Sequence, residues 1–218
     1  MRMPGGSVRS VPGVPWAARG RWRPRPLTLC VLLVGLWLFG TGEALLVASH
    51  LGNTPWTVLA QGVSRHSPLS IGESTFAISI VVLLLWVPLR ERPGLGTVLN
   101  AVVVALAIDV MLDWLPQPGA NAPRLAEVIA GIAAIGIGSA LYLTTQLGPG
   151  PRDGWMTGIA RRTDWPIASV RLGIELSVLV IGFLLGGRAG IGTVLFALTI
   201  GYAVAISINT LAHLTSEQ

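Results

Sequence analysis

The chain has no lysine, one cysteine and few charged side chains of any kind. Only 11% of its 218 residues are charged, whereas a soluble domain carries about 25%. All 15 basic residues are arginine. A chain with so little charge cannot cover a surface that faces water, so we expect its outer face to contact lipid. The lone Cys30 excludes an internal disulfide and a cysteine-based metal site.

Motifs of soluble enzymes are also missing. The sequence contains no phosphate-binding Gly-Lys-Ser/Thr loop, no dinucleotide-binding fingerprint and no helix with paired histidine ligands. We therefore expect no enzymatic activity, no cofactor and no metal. The net charge of +5 does not predict a nucleic-acid partner, because six arginines lie in the first 25 residues, beside a hydrophobic segment. Arginines in that position favour a role in membrane topology.

Six apolar segments are long enough to cross about 30 Å of hydrocarbon, which predicts an all-α membrane protein. They are approximately Leu27–Ser49, Thr75–Leu89, Thr97–Leu115, Leu125–Gln146, Ser169–Leu185 and Thr193–Leu211, and the second could begin nearer Ile71. Residues 1–26 are rich in Pro, Gly and Arg, which predicts a disordered basic tail. The apolar run after this tail is too long for a signal peptide, although Val47-Ala48-Ser49 resembles a weak cleavage site.

The arginines predict the orientation of the chain. With the N-terminal tail inside, the cytoplasmic side receives the arginines at 90, 92, 152, 161 and 162, and the other side only those at 65, 124 and 188. This bias predicts a multi-pass membrane protein with both termini in the cytoplasm.

The chain is built from two similar halves. Shifted by 96 residues without a gap, Leu29–Leu115 matches Leu125–Leu211 at 25 of 87 positions. Each half has three spans, an odd number, so the halves insert with opposite orientation and form a 3+3 inverted-topology repeat. The predicted units are the tail 1–26, a first repeat 27–115, a linker 116–124, a second repeat 125–211 and a cytoplasmic tail 212–218.

A loop motif follows the first and the fourth span. Gly52 and Gly148 suit the position after a helix end, and Pro55 and Pro151 suit the first turn of a new helix. Trp56 follows the first of these prolines. The motif predicts two short capped helices, which either lie flat at the interface or dip back into the protein.

Ionisable residues within apolar spans are the candidates for a functional site. Asp109 lies in the third span, and Arg171 and Glu175 share one face of the fifth because they are four residues apart. We expect Arg171 and Glu175 to form a charged centre, with Arg152 and Asp153 as its gate or support. A structural ion pair or hydrogen bond is the alternative for these groups.

Several of these motifs resemble a known family. The run Leu147–Gly154, together with Arg161-Arg162-Thr163, Val170-Arg171 and Gly190-Ile191-Gly192-Thr193, is similar to the YczE-like branch of the YczE/YyaS/YitT membrane proteins. The chain departs from the family pattern at Asn53-Thr54-Pro55-Trp56-Thr57, which lacks an acid, and at Gly201-Tyr202, which lacks a Gly-Pro. The resemblance implies a multi-span inner-membrane protein without specifying a substrate.

Two functions are consistent with these features. The first is a transporter or permease for a small solute, with its site between the inverted halves. The second is a non-transporting scaffold or accessory subunit, in which the charges are structural. A cavity lined by Asp109, Arg171 or Glu175 would favour the first, and a dry, packed centre the second. The lipid bilayer is the expected partner. The sequence is consistent with either a monomer or a homo-oligomer.

Overall fold

The computed structural model describes residues 14–216, and every regular element in this range is a helix. Six helical segments are long and apolar enough to span a membrane, and α3 and α4 together form the second of them. Their lengths of 18–25 residues correspond to about 27–37 Å. The helices are α1 (Pro26–Ser49), α2 (Pro55–Ser64), α3 (Ile71–Leu84), α4 (Trp86–Leu89), α5 (Leu95–Trp114), α6 (Asn121–Thr144), α7 (Pro151–Thr163), α8 (Ile167–Leu184) and α9 (Ile191–Ser216).

The six predicted spans are therefore confirmed, with small changes at their ends. The second begins at Ile71 because Ser70 and Glu73 form a capping box. The Ser70 hydroxyl accepts the Glu73 backbone N–H at 2.9 Å, and the Glu73 carboxylate accepts that of Ser70 at 2.8 Å. These bonds satisfy two of the free N–H groups at the start of α3.

Helices α1 and α6 form the centre of the molecule. A Cβ on Gly42 would lie 2.6 Å from the carbonyl oxygen of Gly131, and one on Gly138 would lie 2.6 Å from that of Gly35. The order of these contacts makes the two helices antiparallel. Their backbones touch because glycines occupy the contact positions on both helices. Such close packing suits a membrane protein, in which dispersion contacts hold helices together.

Two further helices pack on this central pair. On α1, a Cβ at Gly40 would lie 2.6 Å from the Cβ of Ala107 in α5. On α6, a Cβ at Gly136 would lie 2.8 Å from that of Ala203 in α9. Both members of the second contact lie 96 residues after those of the first. The same small-residue contact therefore occurs once in each half.

The loops after α1 and α6 each bind to the other half of the chain. The Leu51 carbonyl accepts the N–H of Gly192 at 2.9 Å, and the Asn53 carbonyl accepts the Thr193 hydroxyl at 2.7 Å. In the other loop, the carbonyls of residues 147 and 149 accept the N–H of residue 96 at 2.9 Å and the hydroxyl of residue 97 at 2.7 Å. The loop of each half is thus anchored at the start of the last span of the other.

The loop glycines have the positive φ that their role requires. Gly52 and Gly148 have φ values of 118° and 117°, and a Cβ on Gly52 would lie 2.5 Å from the Gly190 nitrogen. The sequence predicts that Gly52 and Gly148 are the left-handed residues directly after the helix ends. In the structure, other residues occupy those positions. His50 and Gln146, with φ near 59° and 57°, take that conformation. The glycines instead turn the chain back toward the protein.

The N-terminal segment is more ordered than expected over the part that the structure describes. The Ala18 N–H donates to the Thr145 carbonyl at 2.9 Å, and the Leu95 N–H donates to that of Arg21 at 2.9 Å. Residues 14–25 are therefore fixed against the ends of α6 and α5, because the tail supplies partners for free backbone groups there. Residues 1–13 lie outside the described range. At the other end, α9 continues through the predicted tail to Ser216.

Candidate functional site

A cavity of about 150 Å³ lies inside the protein, where the N-terminal ends of α2 and α7 approach each other. Pro55 and Trp56 reach it from α2, and Gly150 and Arg152 from the start of α7. Residues of both halves line the cavity. The ionisable ones are Glu43, Tyr142, Arg152, Asp153, Arg171 and Glu175.

Arg171 and Glu175 form the ion pair that their spacing predicts. The Arg171 Nε donates to the Glu175 carboxylate at 2.9 Å. The side chains are 51% and 24% exposed, so the pair borders the cavity instead of being buried at its centre. Both residues also take part in the lining of the cavity.

Arg152 is the less exposed of the two arginines that line the cavity. Its guanidinium lies over the Trp56 ring, 5.0 Å from the centroid. Across residues 14–216 it makes no ion pair and no side-chain hydrogen bond. Burial lowers the pKa of Arg152, while the charges of Glu43 and Asp153 act in the opposite direction. The group stays protonated, because an arginine side chain is not deprotonated in proteins.

Asp153 is held by its own half of the protein. Its carboxylate accepts the hydroxyl of Tyr142 at 2.6 Å. The carboxylate is in the first turn of α7, where the helix dipole favours negative charge. Asp153 therefore lines the cavity with one of its hydrogen-bond positions already filled.

Glu43 also lines the cavity, although the sequence analysis did not select it as a site residue. Its side chain is 2% exposed, and its Oε2 accepts the hydroxyls of Thr54 at 2.9 Å and Thr57 at 2.7 Å. Its other oxygen, Oε1, accepts no hydrogen bond within the part of the chain that the structure describes. A carboxylate in an apolar span is a signal in the sequence, but its partners are known only once α2 folds back against α1.

Asp109 is separate from the cavity and has a structural role. Its carboxylate accepts the Ser70 hydroxyl at 2.6 Å and the Gly72 N–H at 2.7 Å. Asp109 thus joins the start of α3 to the end of α5, and we call these three residues the latch. Asp109 is not part of the cavity lining, and its carboxylate is bound by the Ser70 hydroxyl and by the free Gly72 N–H at the start of α3.

The second half has no latch. The residues 96 positions after Ser70, Gly72 and Asp109 are Pro166, Ala168 and Ala205, and these hydrogen bonds cannot form because Ala205 has no carboxylate to accept them. Whereas α3 packs against α5, the corresponding helices α8 and α9 share almost no contact in the described chain. The cavity is lined from both α8 and α9, so their separation leaves one side of it open.

The short helices position the site. Pro55 begins α2, and the Thr54 hydroxyl accepts the Thr57 N–H at its N-terminus. Pro151 begins α7, and its carbonyl accepts the indole N–H of Trp86 at 2.9 Å. Pro55, Pro151 and Trp56 are all buried, which places both helix starts inside the protein.

Many of the lining residues are paired at a spacing of 96 residues along the sequence. Nine lining residues come from the first half, and for eight of them the residue 96 positions later also lines the cavity. The matched pairs differ in chemistry. Thr75 and Ser79 correspond to Arg171 and Glu175, and Glu43 corresponds to Ser139. Both halves therefore line the cavity, with nine residues from the first and thirteen from the second, and most of the charge comes from the second.

Comparisons with known proteins give the family of the chain. Residues 27–209 match the model described as "Family of unknown function (DUF6198)". A Haemophilus influenzae protein is 46% identical over 207 residues, which cover 95% of each chain. The "Uncharacterized membrane protein YczE" of Bacillus subtilis is 30% identical over 189 residues, covering 86% of this chain and 85% of its own. YyaS of the same organism is 28% identical over 166 residues, covering 74% and 83%.

No solved structure matches the chain. The family match includes most or all of each of the six helical segments that could span a membrane, and the resemblance to YczE and YyaS is confirmed. The chain therefore belongs to the DUF6198 family and is an integral membrane protein similar to YczE.

Proposed function

We propose that the protein is a transporter or permease for a small solute in the bacterial cytoplasmic membrane, with its site in the cavity between two halves of inverted topology. The observation that carries this proposal is the lining, in which eight of nine first-half residues have their repeat counterpart. Transporters built from inverted repeats place the substrate site at the interface of the repeats. Broken or re-entrant helices whose N-termini face the site are a further feature of such folds.

The proposed orientation follows the arginine bias, with both termini in the cytoplasm. The latch then closes the cavity on the outer side, since α3 begins there. The gap between α8 and α9 opens it toward the cytoplasm, where α8 begins. The half-exposed Arg171 supports this assignment, because it lies near the start of α8. In this proposal the structure corresponds to an inward-open state.

The alternative is a non-transporting scaffold or accessory subunit. The cavity does not support it, because a scaffold needs only a packed centre. Catalysis and a cofactor are not part of our proposal, since the charged groups around the cavity are an ion pair, two hydrogen-bonded carboxylates and one arginine.

A metabolite comparison tests the transport function. A deletion strain and a strain that overexpresses the protein are compared for untargeted uptake and efflux, with Glu175→Gln and Arg161→Gln variants expressed at equal levels. Transport through the cavity predicts a solute whose distribution changes with the wild type and with Arg161→Gln, but less with Glu175→Gln. An identical solute profile in all strains would favour the scaffold.

A further inference from the structure

The charged groups that line the cavity differ in whether they already have partners. Arg171 and Glu175 bind each other, and Asp153 accepts the Tyr142 hydroxyl. Within the described chain, two charged groups of the lining have no hydrogen-bond partner, namely the Arg152 guanidinium and the Oε1 oxygen of Glu43. One can donate hydrogen bonds and carries a positive charge, and the other can accept them and carries a negative charge.

The sum of the charges that line the cavity restricts the charge that a ligand can carry. Two arginines and three acids line the cavity, which gives a formal charge of 2 − 3 = −1. A simple anion would add to this negative charge, and a simple cation would leave Arg152 without a counter-ion. A buried charge without a partner is strongly unfavourable. A zwitterion leaves the sum unchanged and supplies a partner to both groups.

The positions of the two groups agree with a bridging ligand. Arg152 and Glu43 do not form an ion pair with each other, although Glu43 is the foremost charged neighbour of Arg152. A short molecule with an ammonium and a carboxylate group can therefore lie between them. The guanidinium would bind the carboxylate through two parallel hydrogen bonds.

The remaining walls and the size indicate the rest of the ligand. A cavity of about 150 Å³ corresponds to about five water molecules at about 30 Å³ each and is large enough for benzene, so with its open side it accepts a ligand of about six to nine non-hydrogen atoms. Phe39, Ile135 and Phe196 give it apolar walls. We infer that the cavity binds a small zwitterion with an apolar body, of the size of a free amino acid such as leucine. This inference rests on the proposed function and names its substrate class.

The binding test uses the purified full chain in lipid nanodiscs. The probe is a mixture of the free amino acids alanine, valine, leucine, isoleucine, methionine and phenylalanine. Two matched mixtures contain the same skeletons without the amino group or without the carboxyl group. We expect the amino acids to raise the thermal unfolding midpoint and the two matched mixtures to leave it unchanged at the same concentration. Equal stabilisation by the acids or the amines alone, or none by the amino acids, would overturn the zwitterion site.

Variants assign the two charges. Arg152→Gln and Glu43→Gln should each weaken amino-acid binding by about tenfold or more, because each removes a hydrogen bond to a charged group. Arg152→Lys keeps the charge but loses the parallel pair of bonds, so it should bind with intermediate affinity even if Arg152→Gln fails to fold. Arg161→Gln, whose partner Glu91 is outside the cavity, should bind like the wild type. Wild-type affinity in a folded Arg152→Lys variant would contradict the assignment.

Transport in proteoliposomes separates this inference from the proposed function. Amino-acid binding without movement across the membrane would keep the zwitterion site and remove the transport function. Movement of another solute by a protein that binds no amino acid would keep the transport function and overturn the zwitterion site.

Discussion

At the scale of single residues, the partly exposed pair of Arg171 and Glu175 is expected to matter for function more than for stability. Exposed ion pairs contribute about 0–1 kcal/mol, and Arg171 is half-exposed. Arg171→Leu should therefore lower the thermal unfolding midpoint only slightly, and the double variant with Glu175→Leu should recover that small loss. Thermal unfolding in detergent measures both. A large loss for the single variant would mean that Glu175 is more buried than the structure shows.

A buried indole is expected to matter far more for stability. Trp86 is buried, and its N–H donates to the Pro151 carbonyl, which begins α7. Trp86→Phe should lower the free energy of unfolding by about 1–3 kcal/mol, because it removes that hydrogen bond and part of a buried ring. Trp114→Phe is the control, since Trp114 is 82% exposed. Chemical denaturation of both variants in detergent should separate them, and equal stabilities would argue against the hydrogen bond.

Single residues also show how far the sequence could predict the site. The pairing of Arg171 with Glu175 followed from a spacing of four on one helix. The roles of Asp109 and Glu43 did not follow, because their partners belong to other helices and only the folded chain brings them together. In the sequence, Glu43, Asp109 and Glu175 are all carboxylates in apolar surroundings. Their neighbours in the sequence do not indicate which of them caps a helix and which lines a cavity.

At the scale of helices, the glycine contacts lead to a prediction about packing. An alanine at Gly40 or Gly136 would place its Cβ within 2.6–2.8 Å of a neighbouring alanine Cβ, so each substitution should destabilise by about 1–3 kcal/mol. Gly173 and Gly201 are controls, because a Cβ there would meet no atom within 4 Å. Alanine at these two positions should be neutral or slightly stabilising. Unfolding midpoints in detergent that do not separate the two pairs would contradict the close crossings.

The latch gives a second prediction at this scale. Asp109→Ala removes two hydrogen bonds to a charged acceptor, each worth about 1.5–3 kcal/mol, so the population with α3 separated from α5 should increase about tenfold or more. The measurement is the labelling of Ser79→Cys, in a chain with Cys30→Ala, by a membrane-impermeant maleimide added outside. Asp113→Ala is the matched control, one turn further along α5. Unchanged labelling in the Asp109 variant would show that the latch does not close this side.

The helices themselves were largely predictable. Length and apolar composition located all six spans, and the ends shifted by a few residues where caps such as Ser70 begin a helix earlier than the apolar run. The packing between helices was predictable only in part. The glycine pattern indicated close crossings, but the difference between the closed α3–α5 contact and the open α8–α9 gap depends on side chains that are 39 residues apart, as Ser70 and Asp109 are.

At the scale of the whole molecule, the proposed orientation can be tested with reporter fusions. Fusions after Gln218 and within residues 150–162 should report the cytoplasm, and fusions near Gln117 should report the external side. The arginine bias and the six spans give this expectation. A cytoplasmic signal at Gln117 would contradict both the six-span topology and the inverted repeat.

The way in which the halves are joined has a consequence for translation. The Asn53 carbonyl finds its partner in Thr193, 140 residues later, and a ribosome at 5–20 residues per second needs about 7–28 s for that distance. The first three spans are complete before the middle of this interval, but the loop after the first span still lacks the groups that will bind it. A nascent chain stopped before residue 190 should thus keep this loop accessible to proteases, and the first half acquires its final structure only when the last span is made.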